Sequence, residues 1–190
     1  MIENLRVRLA VAVAVAVTVC ALGVGTSLVA AKKAPSDVVV VNAKLTNAAG
    51  QQVAVVQFRK SPRSAVKVIV TGRGLPPGFH GMHVHTVGAC QAPSFMSAGG
   101  HLKNAGSSHS NHTGDLTSLY VKSDGTASAR FETDRFGLNT LRDMDGSAVV
   151  IHAGSDNFGN IPPRYAPDGP DQITRDTGDS GARIACGPIR

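Results

Sequence analysis

Three histidines fall within six residues in Gly78-Phe79-His80-Gly81-Met82-His83-Val84-His85. The run otherwise reads as a β-strand, along which side chains alternate faces. His83 and His85 therefore share one face and His80 takes the other. Two imidazoles side by side on a rigid strand make half of a metal site. A His-x-His pair alone reads more readily as a polar stripe on an exposed strand. What lifts this pair above that is the placing of the other histidines. His101, His109 and His112 stand in the interval 88–114, Asp115 follows three residues later, and His152 closes the apolar run Ala148-Val149-Val150-Ile151. All seven imidazoles of the chain thus lie on one strand, one adjacent interval and one strand end.

The elements that must position them are strands. Apolar or alternating runs of strand length cover 38–45, 52–58, 66–72, 79–87, 116–121, 126–132, 148–153 and 182–186. Ala49-Gly50, Asp124-Gly125 and Asp145-Gly146 lie between runs as turn signals. Gly 21, Pro 10 and 4% aromatic residues suit a loop-rich all-β domain. Eight short strands without a long amphipathic helix predict an immunoglobulin-like Greek-key barrel or sandwich. Two intervals, 88–114 and 154–181, show neither strand nor helix pattern. Loops that long in a compact domain are usually functional; the first is rich in His, Gly and Ser and the second in Asp, Gly and Pro.

Residues 1–31 read as a secretory signal peptide, with Arg6 and Arg8 as the positive start, 9–19 as the apolar stretch and Leu28-Val29-Ala30-Ala31 as the cleavage site. An uncleaved anchor and lipidation at Cys20 are the competing readings, the second disfavoured by Val19 before the cysteine. Residues 32–37 form a linker, and the domain runs over 38–190. Removal of the segment leaves 17 basic and 12 acidic residues, net +5, and two cysteines, Cys90 and Cys186. An even pair in an exported chain reads as one disulfide, worth about 4–5 kcal/mol on the chain-entropy view for a loop this long. It would tie the first long loop to the last strand. The basic residues are scattered and few aromatics accompany them, which argues against a nucleic-acid partner and allows attraction of a small anion. A membrane is a partner only through the N-terminal segment. No strand carries an apolar outer face that would set an oligomeric state.

In these features the chain resembles the copper,zinc superoxide dismutases of the bacterial exported type. The likeness runs from about Val38 to the C-terminus. It rests on residues 78–90, Gly99-Gly100-His101, His112-Thr113-Gly114-Asp115-Leu116, Ile151-His152-Ala153-Gly154-Ser155-Asp156-Asn157 and Gly178-Asp179-Ser180-Gly181-Ala182-Arg183-Ile184-Ala185-Cys186-Gly187, in order and at the right separations. The resemblance implies that His83, His85, His101 and His152 bind copper, for which four imidazoles are suited ligands. It implies zinc on His101, His109, His112 and Asp115, three nitrogens and a carboxylate in a closed tetrahedral site, with His101 shared between the metals. Asp156 would orient ligand imidazoles on both sides. Arg183 would stand near copper and attract the substrate anion, superoxide, its charge being one that does not titrate away. His80 would be a buried structural residue.

The implied activity is disproportionation of superoxide to dioxygen and hydrogen peroxide by copper redox cycling, with His101 taking up a proton during the cycle, in the periplasm, the cell wall or outside the cell. A copper-binding or copper-delivery protein on the same barrel is the alternative; it has no need of His152, Asp156 and Arg183 together. The chain departs from the family pattern in the zinc loop. His109 precedes His112 by only three residues, so a tight turn centred on Asn111 must deliver both. Met82 stands in place of the usual aromatic, Thr86 in place of a frequent acidic residue, and the second loop differs most.

Overall fold

The computed structural model describes residues 39–62 and 65–190. The expected signal peptide, Cys20 and the linker 32–37 lie outside the described residues. Among the described residues nine strands follow in order: β1 (Val39–Asn47), β2 (Gln52–Lys60), β3 (Val66–Gly72), β4 (Gly78–His80), β5 (Met82–His85), β6 (Leu119–Val121), β7 (Ala127–Thr133), β8 (Ala148–His152) and β9 (Arg183–Pro188). All are antiparallel to their neighbours, in the order β4-β6-β7-β3-β2-β1-β9-β8-β5.

The ninth strand comes from the stretch expected to be one strand over 79–87. It breaks at Gly81, where the backbone changes partner. β4 pairs with β6 and β5 with β8. Between them Gly81 donates to the Gly154 carbonyl (2.9 Å) and accepts from the His152 amide (2.8 Å). The first and last strands of the sheet are therefore consecutive in the chain, and the covalent backbone through Gly81 closes the barrel and removes its free edges. A Cβ at Gly81 would lie 2.5 Å from the Ser180 hydroxyl, so no side chain fits at the break.

Strand alternation fills the barrel. Val41, Ala43 and Leu45 of β1, Val56 and Phe58 of β2, Val66, Val68 and Val70 of β3, and Val149 and Ile151 of β8 are buried in one cluster. All five residues of β8 are buried because its outer face is covered too. There Ala148 and Val150 pack with Phe95, Ala98 and Cys186 in a second small cluster under the first long loop. The disulfide Cys90–Cys186, with Cα atoms 5.6 Å apart, pins that loop to β9 as expected. Gly88 is held by the Asp145 carbonyl and Val87 by the Ala98 carbonyl.

The second long loop is less irregular than its sequence suggests. It contains a short helix, α1 (Gln172–Thr177). Six residues are too few to show a helical period. Its punctuation was nevertheless present: the Asp171 side chain caps it by accepting from the Thr174 amide (2.8 Å), and Gly178 ends it at φ 60°. Among the described residues no helix is long and apolar enough to cross a membrane.

Candidate metal centre

On β5, Met82 and Val84 point into the barrel core, so His83 and His85 point out of it. On β8 the same logic sends Val149 and Ile151 inward and His152 outward, with an irregularity in register between Ile151 and His152. The first long loop is laced alongside. His101 pairs with His85 and Asp115 with His83 in isolated bridges. Leu102 donates to Val84 (2.8 Å), Val84 to Gly114 (2.9 Å) and Gly114 to Leu102 (2.7 Å). Strand, loop and strand end thus converge outside one wall of the barrel.

Two groups of side chains result. Donor atoms of His83, His85, His101 and His152 lie within 4.8 Å of one another, and so do those of His83, His101, His109 and Asp115. Nδ1 of His109, His101 and His112 lie 3.1, 3.3 and 3.4 Å from Asp115 Oδ1. The turn Ser108–Asn111, closed by a 2.6 Å hydrogen bond from Asn111, brings His109 and His112 to the same carboxylate despite their close spacing. Arg135 holds the turn's far end by donating to the His112 carbonyl (3.0 Å). Asp115 Oδ2 is engaged by the His112 amide (2.9 Å), which leaves Oδ1 facing the imidazoles.

The remaining hydrogen bonds decide which nitrogen of each ring is free. His85 donates Nδ1–H to the Gly99 carbonyl (3.0 Å), and His152 donates Nδ1–H to the Gly181 carbonyl (2.9 Å). Their Nε2 atoms then face each other at 3.4 Å. Asp156 spans both groups, with Oδ2 2.7 Å from His83 Nε2 and Oδ1 2.7 Å from His109 Nε2. What is left over at the centre is a set of buried atoms with no hydrogen-bond partner: Nδ1 of His83, His101 and His109, both ring nitrogens of His112, and Oδ1 of Asp115. Buried polar atoms are almost always paired. On one side the unpaired Nδ1 atoms of His101, His109 and His112 converge on the unpaired Oδ1 of Asp115; on the other the unpaired Nδ1 of His83 stands with the facing Nε2 atoms of His85 and His152; such donor sets are what metal ions satisfy. The residues His83, His85, His101 and His152 fit copper, and His101, His109, His112 and Asp115 fit zinc.

Protonation of His85, His101 and His152 agrees with this chemistry. Burial pushes His101 down to about 4 and His152 down to about 3, with neighbouring imidazoles adding to the effect, and His85 also falls well below its ordinary value. Their lone pairs are free at neutral pH, as metal ligation requires. Burial opposes the charge on His109, but Asp115 and Asp156 outweigh it and hold this ring up to about 9. Burial likewise opposes ionisation of the two carboxylates, and their imidazole partners nonetheless keep both below the usual range.

A cleft of about 660 Å³ opens over the first group, lined by His85, His101, His152 and Arg183. Arg183 is half-buried and fixed by donating to the carbonyls of Phe95 (2.7 Å) and Gly99 (2.6 Å). The Gly99 carbonyl thereby holds both Arg183 and His85. Every residue singled out in the sequence for this centre is here. His80 is buried elsewhere, its ring nitrogens 2.8 Å from the carbonyls of His152 and Pro76. Sequence reasoning missed the far wall of the cleft, where Lys103 of the first loop bridges to Asp176 of α1 (2.7 Å). It also missed why Gly178 is a glycine: a Cβ there would collide with His109 and Asp156. A C-capping glycine was the one available signal for that residue.

Fold and site together define a closed Greek-key β-barrel carrying a two-metal histidine centre on its outer wall. A family model described as copper/zinc superoxide dismutase matches residues 52–189, and the chain belongs to that family. It is 41% identical over 184 residues to the superoxide dismutase [Cu-Zn] of Mycolicibacterium paratuberculosis, spanning 88% of this chain and 79% of that one. Against the superoxide dismutase [Cu-Zn] of Mycobacterium tuberculosis it is 43% identical over 162 residues, 76% of this chain and 68% of that one. Among solved structures, a double mutant of a SOD-like protein from Bacillus subtilis superposes with a TM-score of 0.65 at 30% identity, covering 77% of this chain and 95% of that one. The function is accordingly that of a superoxide dismutase, an oxidoreductase acting on superoxide with copper and zinc as cofactors.

Proposed function

We propose that copper is held by His83 through Nδ1, by His85 and His152 through Nε2, and by His101, and that zinc is held by Nδ1 of His101, His109 and His112 with Oδ1 of Asp115. The assignment is supported by one observation above the others: Nδ1 of His83, His101, His109 and His112 and Oδ1 of Asp115 are buried without hydrogen bonds, while the Nδ1–H groups of His85 and His152 are spent on carbonyls and turn their Nε2 atoms toward each other at 3.4 Å. Bound copper supplies the one-electron oxidation and reduction that disproportionates superoxide to dioxygen and hydrogen peroxide.

The chain's own residues do the rest. Arg183 shares the cleft with the copper ligands, and its guanidinium, clamped by two carbonyls, presents a fixed positive charge to an incoming anion. His101 has Nδ1 turned to Asp115 and lines the cleft; Nε2 is then the nitrogen that would serve the copper side and, when not held there, would carry a proton for the departing peroxide. Asp156 orients His83 and His109, one residue that would hold copper and one that would hold zinc.

The enzyme acts outside the cytoplasm. The signal-like segment 1–31 with cleavage after Ala31 supports this, as does the disulfide Cys90–Cys186, a bond that persists in oxidising compartments. The mature chain is then a linker, 32–37, followed by the single domain 38–190. Intact mass of the exported protein is the check; a diacylglycerol adduct on Cys20 would refute cleavage after Ala31. The activity assignment is tested by the rate of superoxide consumption with copper and zinc counted on the same sample. Rapid turnover with each metal near one per chain is expected. Copper binding without turnover would overturn the roles given to Arg183 and His101.

A further inference from the structure

The imidazoles of the centre are not equally anchored. His83 and His109 are each tied through Nε2 to Asp156. His85 is tied through Nδ1 to the Gly99 carbonyl and His152 through Nδ1 to the Gly181 carbonyl. His101 is stacked on His83 with ring centroids 3.9 Å apart. His112 has none of these restraints. It is fully buried, yet both its ring nitrogens lack a hydrogen-bond partner among the described residues. Its ring meets those of His101 and His109 only edge-on, at 5.5 Å.

This difference has an energetic consequence. A neutral imidazole that gives its Nδ1 lone pair to a metal must carry its proton on Nε2. For His109 that proton is accepted by Asp156. For His112 it faces no acceptor, and a buried N–H left unpaired costs about 1–3 kcal/mol. Asp115 approaches Nδ1 at 3.4 Å, but among the described residues no carboxylate or carbonyl holds the ring from its Nε2 side. Geometry points the same way. His112 Nδ1 is the farthest of the three nitrogens from Asp115 Oδ1, and the compact group around that carboxylate comprises His83, His101 and His109 without His112.

We infer that His112 is a detachable zinc ligand: His101, His109 and Asp115 keep the ion while His112 comes on and off, so that zinc exchanges without copper leaving. This rests on the two-metal assignment above. The zinc side also borders a cleft separate from the one over the copper group. Asp115 lines a cleft of about 350 Å³ together with Ser110, Thr117, Asp134, Arg135 and Phe158, and none of the copper ligands lines it.

The test uses the full chain with copper in place and Co(II) as the zinc probe, its visible bands reporting coordination and its loss to a chelator giving the off-rate. His112→Ala should keep Co(II) and lose it about tenfold faster than the unsubstituted chain, whereas His109→Ala should weaken the site more than about a hundredfold, each tenfold step being 1.4 kcal/mol. Equal weakening by the two substitutions would overturn the inference while leaving the two-metal assignment intact. An unsubstituted chain that takes up no Co(II) would overturn both. A second measurement needs no substitution. In zinc-loaded, copper-free protein the ring N–H proton of His112 should exchange with solvent faster than those of His83 and His109. Equal protection of all three would refute a detachable His112.

Discussion

Replacing Asp156 by Asn tests how the centre is assembled before any metal arrives. The carboxylate bonds His109 and His83 at 2.7 Å each, with both side chains of each pair out of contact with solvent. In metal-free protein His109 is held up to about 9 from 6.5, against the effect of its burial, by Asp115 and Asp156 together. A raised folded-state value means that the native protein binds the extra proton more tightly than the unfolded chain. The stabilisation is fully present below about pH 6.5 and is lost as pH rises through about 9. At 1.36 kcal/mol per unit the shift corresponds to about 3 kcal/mol, of which Asp156 as one of two carboxylates supplies on the order of half. Urea unfolding of the metal-free proteins should therefore show D156N less stable by about 1–2 kcal/mol at pH 6, with the gap narrowing by pH 10. Zinc affinity, measured by competition, should fall about 10–100-fold because the ring that Asp156 aims is released. A stability gap independent of pH over that range would refute the view that Asp156 acts on His109 as a charge.

Three further substitutions probe the surroundings. Arg183→Ala should lower the rate of superoxide consumption by about tenfold or more and flatten its dependence on ionic strength while copper content stays unchanged; an unaltered salt profile removes Arg183 from the site. Cys186→Ser opens the disulfide of sequence separation 96 and should cost about 4–5 kcal/mol by chemical unfolding. It should also reduce turnover, because the loop tied by that bond carries the Phe95 and Gly99 carbonyls that hold Arg183. Gly178→Ala places a Cβ at φ 60° and against the His109–Asp156 contact; zinc should be lost at lower chelator concentration, with copper retained, and equal loss of both metals would contradict the local effect.

Much of the centre was legible because its chemistry is concentrated in residue type and spacing. A strand's period of two puts His83 and His85 on one face whatever the barrel around them does, and Met82 and Val84 as apolar alternates announce which face is inward. The eight expected strands were the observed ones in substance, because half-buried strands advertise themselves by alternation and β8 by an unbroken apolar run covered on both sides. The break at Gly81 was not legible. A glycine inside a strand pattern marks a possible close approach, but that Ser180 and Gly154 make the approach is a fact of the second loop's path. Helix α1 escaped because one and a half turns carry no period, only a cap at each end.

What the sequence determined by itself is the inventory: which donors exist, that they sit on strands and long loops, and that Cys90 and Cys186 are placed to pin one loop. Tertiary structure alone decided which nitrogen of each ring is free. That choice depends on acceptors far away in the chain, the carbonyls of Gly99 and Gly181 and the carboxylate of Asp156, each brought to its ring by the closure of the barrel. A histidine's identity fixes that it can bind a metal. Where its proton is held fixes through which atom, and how firmly, and on that count His112 differs from its neighbours although its sequence context gives no sign of it.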